Sequence, residues 1–166
     1  MLMGLIAEAC KTSMMKNMNE AMKLACSGLV DANPRVRYAG LTCLALLLTE
    51  FSPKTQKKFH GDLMPVLIQM MTNESLIKLQ TQAVSTVINF VKGLTQEDDE
   101  EGSNTTGVLE IYSANLFENL VNLLKKGMNE NYEPLQEEVM SLLSVSASLI
   151  DKEFAKYFLT LMPMMT

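Results

Sequence analysis

Three apolar stripes with the spacing of amphipathic helices begin at corresponding points of this chain, and they constrain its fold more than any other feature. The first opens at Pro34-Arg-Val-Arg-Tyr-Ala-Gly-Leu-Thr-Cys-Leu and sets Val36, Ala39, Gly40, Cys43 and Leu47 on one side. The second opens at Lys78-Leu-Gln-Thr-Gln-Ala-Val and carries Leu79, Ala83, Val87, Phe90 and Leu94. The third opens at Pro134-Leu-Gln-Glu-Glu-Val and carries Leu135, Val139, Leu142, Leu143 and Ala147. Steps of three and four residues return side chains to the same helix face, so each stripe predicts a helix buried along one side.

Aligning Val36, Leu79 and Leu135 brings an acidic residue to the same place each time. Asp31, Glu74 and Glu130 stand six residues ahead of Arg37, Gln80 and Gln136. Val36 and Leu79 are 43 residues apart, inside the period of about 40–47 that marks HEAT-type helix-pair repeats. Leu79 and Leu135 are 56 apart, and the excess falls on the polar run Gln96-Glu-Asp-Asp-Glu-Glu-Gly-Ser-Asn-Thr-Thr-Gly107. Each stripe also has an amphipathic segment ahead of it. Lys16 to Asp31 carries Met18, Met22, Ala25, Cys26 and Leu29. Pro53 to Thr72 carries Phe59, Leu63, Val66, Leu67 and Met70, and Ile111 to Met128 carries Leu116, Leu120, Val121, Leu123 and Leu124.

The expectation is an all-α solenoid of HEAT repeats, built from antiparallel helix pairs in a single array over residues 1–166. Residues 1–12 read as the second helix of a partial repeat; 16–50 and 53–95 are repeats; 96–110 is an acidic and polar inserted loop; 111–150 is a repeat; 152–166 is the first helix of a truncated repeat. Solenoids cover their ends with polar capping repeats. Neither end of this pattern carries one, which implies an internal stretch of a longer array.

Local chemistry marks the boundaries. Asn33 before Pro34 and Ser52 before Pro53 each place a capping side chain ahead of a proline in the first helical turn. Pro65 and Pro163 fall inside apolar helical patterns and predict kinked first helices. Arg37 is expected to pair with an acidic residue of its own or the adjacent repeat, and Asp31 is the nearest in sequence.

Composition narrows the function classes. The chain is 48% hydrophobic but only 6% aromatic, with no Trp and 14 Met, which suits helices better than strands. A net charge of −5 argues against direct nucleic-acid binding, which calls for a basic face. The opening Met1-Leu-Met-Gly-Leu-Ile-Ala is too short to span a bilayer and lacks the basic start of a secretory signal. Cys10, Cys26 and Cys43 form no C-x-x-C pair, and His60 is the only histidine, so neither a disulfide framework nor a metal site is indicated. Reduced thiols fit a cytoplasmic or nuclear protein. No phosphate-binding loop, nucleophile elbow or metalloprotease motif is present. The chain reads as a protein-binding module with no cofactor, not as an enzyme.

At Asn33-Pro-Arg-Val-Arg-Tyr-Ala-Gly40 the sequence resembles the karyopherin-β (importin-β) superfamily of nuclear transport receptors. The segments Phe51-Ser-Pro-Lys-Thr-Gln-Lys-Lys-Phe-His60 and Ala83-Val-Ser-Thr-Val-Ile-Asn-Phe90 are similar to the branch typified by importin five. A looser likeness runs from Leu135-Gln-Glu-Glu-Val-Met140 to Lys152-Glu-Phe-Ala-Lys-Tyr157, and residues 96–110 have no match. The resemblance implies basic protein cargo on a concave face, release by Ran-GTP, Phe-Gly nucleoporins between outer helices on the convex side, and movement between cytoplasm and nucleus. The alternative is a constitutive HEAT-repeat scaffold, such as a phosphatase regulatory or coat-assembly subunit.

The acidic run Glu97, Asp98, Asp99, Glu100 and Glu101 has two readings: a loop that attracts basic cargo, or a solvated insertion between repeats. Lys54, Lys57 and Lys58 near a helix start read as a solvated face, since cations are better placed at helix C-termini. The methionines recur at helical spacing, which assigns them to packing before any adaptable docking surface.

Overall fold

The computed structural model describes residues 11–95 and 106–150. All the regular structure among them is helical: α1 (Lys11–Lys16), α2 (Met18–Leu29), α3 (Pro34–Glu50), α4 (Lys54–Asn73), α5 (Ile77–Leu94), α6 (Thr106–Asn129) and α7 (Glu133–Leu149). The helices alternate between two layers. The inner layer stacks α3, α5 and α7 side by side, and α2, α4 and α6 each cover the inner helix that follows in sequence. The fold is an all-α solenoid of helix pairs.

The core lies between the layers. Leu41, Leu44, Leu47 and Leu48 of α3, Leu63, Met64, Leu67 and Met71 of α4, and Phe90 of α5 are all at most 1% exposed. So are Leu116, Phe117 and Leu120 of α6 and Leu135, Val139 and Leu142 of α7. Each such side chain stabilises the fold by about 1.5–3 kcal/mol relative to leaving it in water. The core is therefore continuous along the array. At Gly40 the two layers touch backbone to backbone: a Cβ there would sit 3.1 Å from the Ala25 carbonyl oxygen and 3.3 Å from the Gly28 carbonyl carbon.

Helix ends follow local chemistry. The Asn33 side chain accepts a hydrogen bond from the Arg35 N–H at 3.0 Å, capping α3 ahead of Pro34. α6 ends through Asn131, whose φ of 51° is left-handed. Its N–H bonds the Met128 carbonyl at 3.1 Å, and the Tyr132 N–H bonds that of Gly127 at 2.9 Å. This pairing satisfies carbonyls the helix would leave open. α4 runs through Pro65 as one helix. The bond lost to the Gly61 carbonyl falls on the exposed side of α4, where water can replace it.

Three expectations need correction. Ser52 does not cap α4: its hydroxyl donates to the Gly93 carbonyl of α5 at 3.0 Å, and α4 starts at Lys54 without a side-chain cap. The inserted segment is shorter than 96–110, because α6 already begins at Thr106. Val36, at the register of the buried Leu79 and Leu135, is 40% exposed. It lies against Gly28, which has no side chain to cover it.

Beside Ser52 lies a buried polar cluster. Gln56 is 0% exposed, donates from Nε2 to the Leu48 carbonyl at 2.8 Å, and accepts the Thr55 hydroxyl at 2.8 Å. Leu48 is in the last turn of α3, so this amide serves as a C-terminal cap supplied by the next helix.

Candidate protein-binding surfaces

Side chains of the inner helices that point away from the outer layer form parallel rows at matching register. α3 contributes Tyr38, Thr42 and Leu46; α5 contributes Thr81, Ser85 and Asn89; α7 contributes Glu137, Ser141 and the half-buried Val145. The rows differ chemically. That of α3 is apolar, with Tyr38 at 46% and Leu46 at 38% exposure. That of α5 is uncharged between Lys78 and Lys92, and that of α7 begins acidic at Glu137, beside Glu138. Such a face offers hydrogen-bonding groups and charge to solvent.

The turn edge carries a ladder built on the residues at repeat register. Arg37 donates from Nη1 to the Asp31 and Ala32 carbonyls at 2.8 and 3.1 Å, just past the end of α2. Its Nε and Nη2 grip Glu74 of the next unit at 2.9 and 3.2 Å. The pair is largely buried, the side chains being 17% and 7% exposed. Arg37 therefore pairs across the repeats, and the Asp31 carboxylate instead accepts the Asn33 N–H at 2.7 Å. Gln80, the counterpart of Arg37, reaches the Thr72 carbonyl at 3.5 Å and accepts from Lys126 Nζ at 2.7 Å. Gln136 donates to the Gly127 carbonyl at 3.0 Å, and Glu130 lies 3.9 Å from Lys126. In each unit the second helix reaches back to carbonyls at the end of its own first helix. Burial opposes the charge on Glu74, but hydrogen bonds from Arg37 and from the Leu76 and Ser75 N–H groups hold its carboxyl below the usual range.

The outer layer carries a cleft. Between α2 and α4 lies a cavity of about 390 Å³ walled by Met22, Cys26, Phe59 and Leu63, with Glu20, Lys23 and Asp62 exposed at its rim. Burial, and next the charge of Asp62, push the Cys26 thiol up, so it stays protonated and behaves as apolar wall. Between α4 and α6 the layer is closed by direct packing. There the His60 Nδ1 lies 3.0 Å from the Tyr112 hydroxyl, which donates to the His60 carbonyl at 3.2 Å. Burial, then Asp62, raise the Tyr112 phenol.

The sequence-predicted positions are therefore scattered by role. Asp31, Arg37, Glu74 and Glu130 are spread along the turn edge, where only Arg37 and Glu74 pair; Leu79 and Leu135 are core, and Pro34 opens α3. Pro65 lies on the exposed side of α4. Glu97–Glu101 lie outside the described residues. The cleft, Lys126 and the His60–Tyr112 link escaped the sequence reading. The repeat register does place Gln80 at the position of Arg37, and that was a usable signal for the second rung.

No family model matches the chain. Importin subunit beta-3 of Saccharomyces cerevisiae is 28% identical over 159 residues, covering 96% of this chain and 13% of that protein. The chain thus spans about an eighth of the length of this curated relative. Among solved structures, Kap121p superposes with a TM-score of 0.79 at 29% identity, over 95% of this chain and 14% of Kap121p. Kap121p bound to RanGTP gives 0.79 at 28% identity, again over 95% of this chain and 14% of the other. Kap121p bound to Nup53p gives 0.79 at 29%, with the same coverage.

Proposed function

Because this chain belongs to the karyopherin-β superfamily, in its importin-five-like branch, we propose that it is a protein-binding segment of a nuclear import receptor. The observation that carries the reading is the continuous inner layer of α3, α5 and α7, whose half-buried to exposed rows stand in register. Stacked repeats accumulate curvature into a long concave surface, and the inner helices line it. Relatives of the same fold are described bound to Pho4p, to RanGTP and to Nup53p.

In this reading basic protein cargo lies across the inner rows. Glu137 and Glu138 supply negative charge there, and Glu97–Glu101 supply more from the segment between the second and third units. Ran-GTP releases the cargo, and a phenylalanine of a Phe-Gly nucleoporin enters the outer cleft beside Phe59 and Met22. The protein moves between cytoplasm and nucleus and acts by binding, without catalysis.

The test uses the complete receptor with a bound basic cargo, titrated with Ran loaded with GTP or with GDP. Preference for the GTP form, with loss of cargo, supports the proposal. Equal or absent binding replaces it with a constitutive scaffold, of the kind found in phosphatase regulatory or coat-assembly subunits. Charge reversal at Glu97–Glu101 is expected to weaken basic cargo, and unchanged affinity removes that segment from the binding surface.

A further inference from the structure

Successive units of this array are joined unequally. Between the second and third units both layers are closed: α5 packs on α7, α4 packs on α6, and His60 and Tyr112 bond across the outer junction at 3.0 and 3.2 Å. Between the first and second units, among the described residues, only the inner layer is closed. There α3 packs on α5, the Thr86 hydroxyl donates to the Leu41 carbonyl at 3.3 Å, and Arg37 grips Glu74. The outer helices α2 and α4 are held apart by the cavity of about 390 Å³. α2 is also short, with 12 residues against 20 in α4 and 24 in α6.

Two rows of contact about 10 Å apart, one helix diameter, resist rotation as a beam does, whereas a single row acts as a hinge. A rotation of about 10° around the inner row moves the outer helices by roughly 1.7 Å at that lever arm. At the α4–α6 junction such a motion pulls apart close packing and a hydrogen bond of 3.0 Å. At the α2–α4 junction it only changes the width of the cleft.

We infer that the flexure of this array is concentrated at the α2–α4 cleft, with the α3–α5 row as its hinge, while the second and third units move as one body. Widening the cleft tilts the Tyr38 and Leu46 row of α3 toward the Thr81 and Asn89 row of α5. Whatever fills the outer cleft therefore changes the inner face. This inference goes beyond the import reading and does not depend on it.

Bioorthogonal spin labels at the exposed Ser27, Gln69 and Asn122 of the full chain leave the native cysteines in place. Pulsed electron–electron resonance is expected to give a Ser27–Gln69 distance distribution at least about twice as wide as that for Gln69–Asn122, a difference in amplitude that such frozen-ensemble distances report directly. Cys26→Trp, which places an indole in the cleft, is expected to narrow only the first distribution. Equal widths, or a wider Gln69–Asn122 distribution, overturn the inference. So does a Cys26→Trp protein that folds and leaves the Ser27–Gln69 width unchanged.

Discussion

Gly93→Ala tests the packing logic of the array at the point where it is tightest. A Cβ on Gly93 would land on the Gln56 side-chain amide and 2.9 Å from the Ser52 hydroxyl oxygen. Gln56 is fully buried, and the amide the methyl would strike is the one bonded to the Leu48 carbonyl at 2.8 Å, so yielding to the methyl breaks that bond. Leaving that carbonyl buried and unpaired costs about 1–3 kcal/mol, and losing the Thr55–Gln56 bond adds about 1 kcal/mol. Against this, alanine is favoured over glycine in a helix by at most about 1 kcal/mol. The net expectation is a loss of about 1–3 kcal/mol, which lowers the melting midpoint by roughly 2–12 °C in a chain of this size. A thermal melt followed by circular dichroism reads it. The control is the same substitution in a Gln56→Ala background, where the two closest contacts are gone and only the Ser52 hydroxyl still crowds the new methyl. There the penalty is expected to shrink by about 1–2 kcal/mol, the coupling of residues in direct contact. An unchanged midpoint, or an equal penalty in both backgrounds, refutes the reasoning.

Three further outcomes follow from local features. Glu74 is held below the ordinary carboxylate range, so its contribution is complete above about pH 4.3, the unfolded value, and is lost as pH falls through the lower folded value. Acid melts of wild type against Glu74→Gln are expected to differ near neutrality and to converge progressively as the pH falls below the unfolded carboxylate value; a constant difference contradicts the ion pair. Asn33→Ala removes the α3 cap and is expected to cost about 1 kcal/mol by urea titration. Among the described residues the buried Ser146 hydroxyl has no hydrogen-bond partner. Ser146→Ala is therefore expected to be neutral or to stabilise by about 1 kcal/mol in the same titration, and a clear loss would reveal a partner.

Legibility varied with the range of the interaction. The faces of α5 and α7 could be read because Leu79, Ala83, Val87, Leu135 and Val139 repeat every three or four residues, and helical spacing alone decides which of them share a side. The Asn33 cap was legible for the same reason: its acceptor and donor are two residues apart. Ser52 had the same local signature and was misread, because a competing carbonyl, that of Gly93, lies 41 residues away. Asp31 was the obvious partner for Arg37 by proximity in sequence. Glu74, 37 residues on, took the guanidinium because stacking of the repeats brings a whole carboxylate within two-point reach.

The sequence by itself determined that this chain is a row of helix pairs, where most of the helices lie, and which period relates them. These are properties of short windows, in which the geometry of one helix settles every relation that matters. Only the tertiary structure decided how the pairs are joined: Arg37 to Glu74, Lys126 to Gln80, a closed seam at His60 and Tyr112, and an open cleft beside Cys26. Each of these depends on the angle between neighbouring units. That angle is set by the sum of many contacts, among them the backbone approach at Gly40 and the length of α2, and no window of sequence contains that sum.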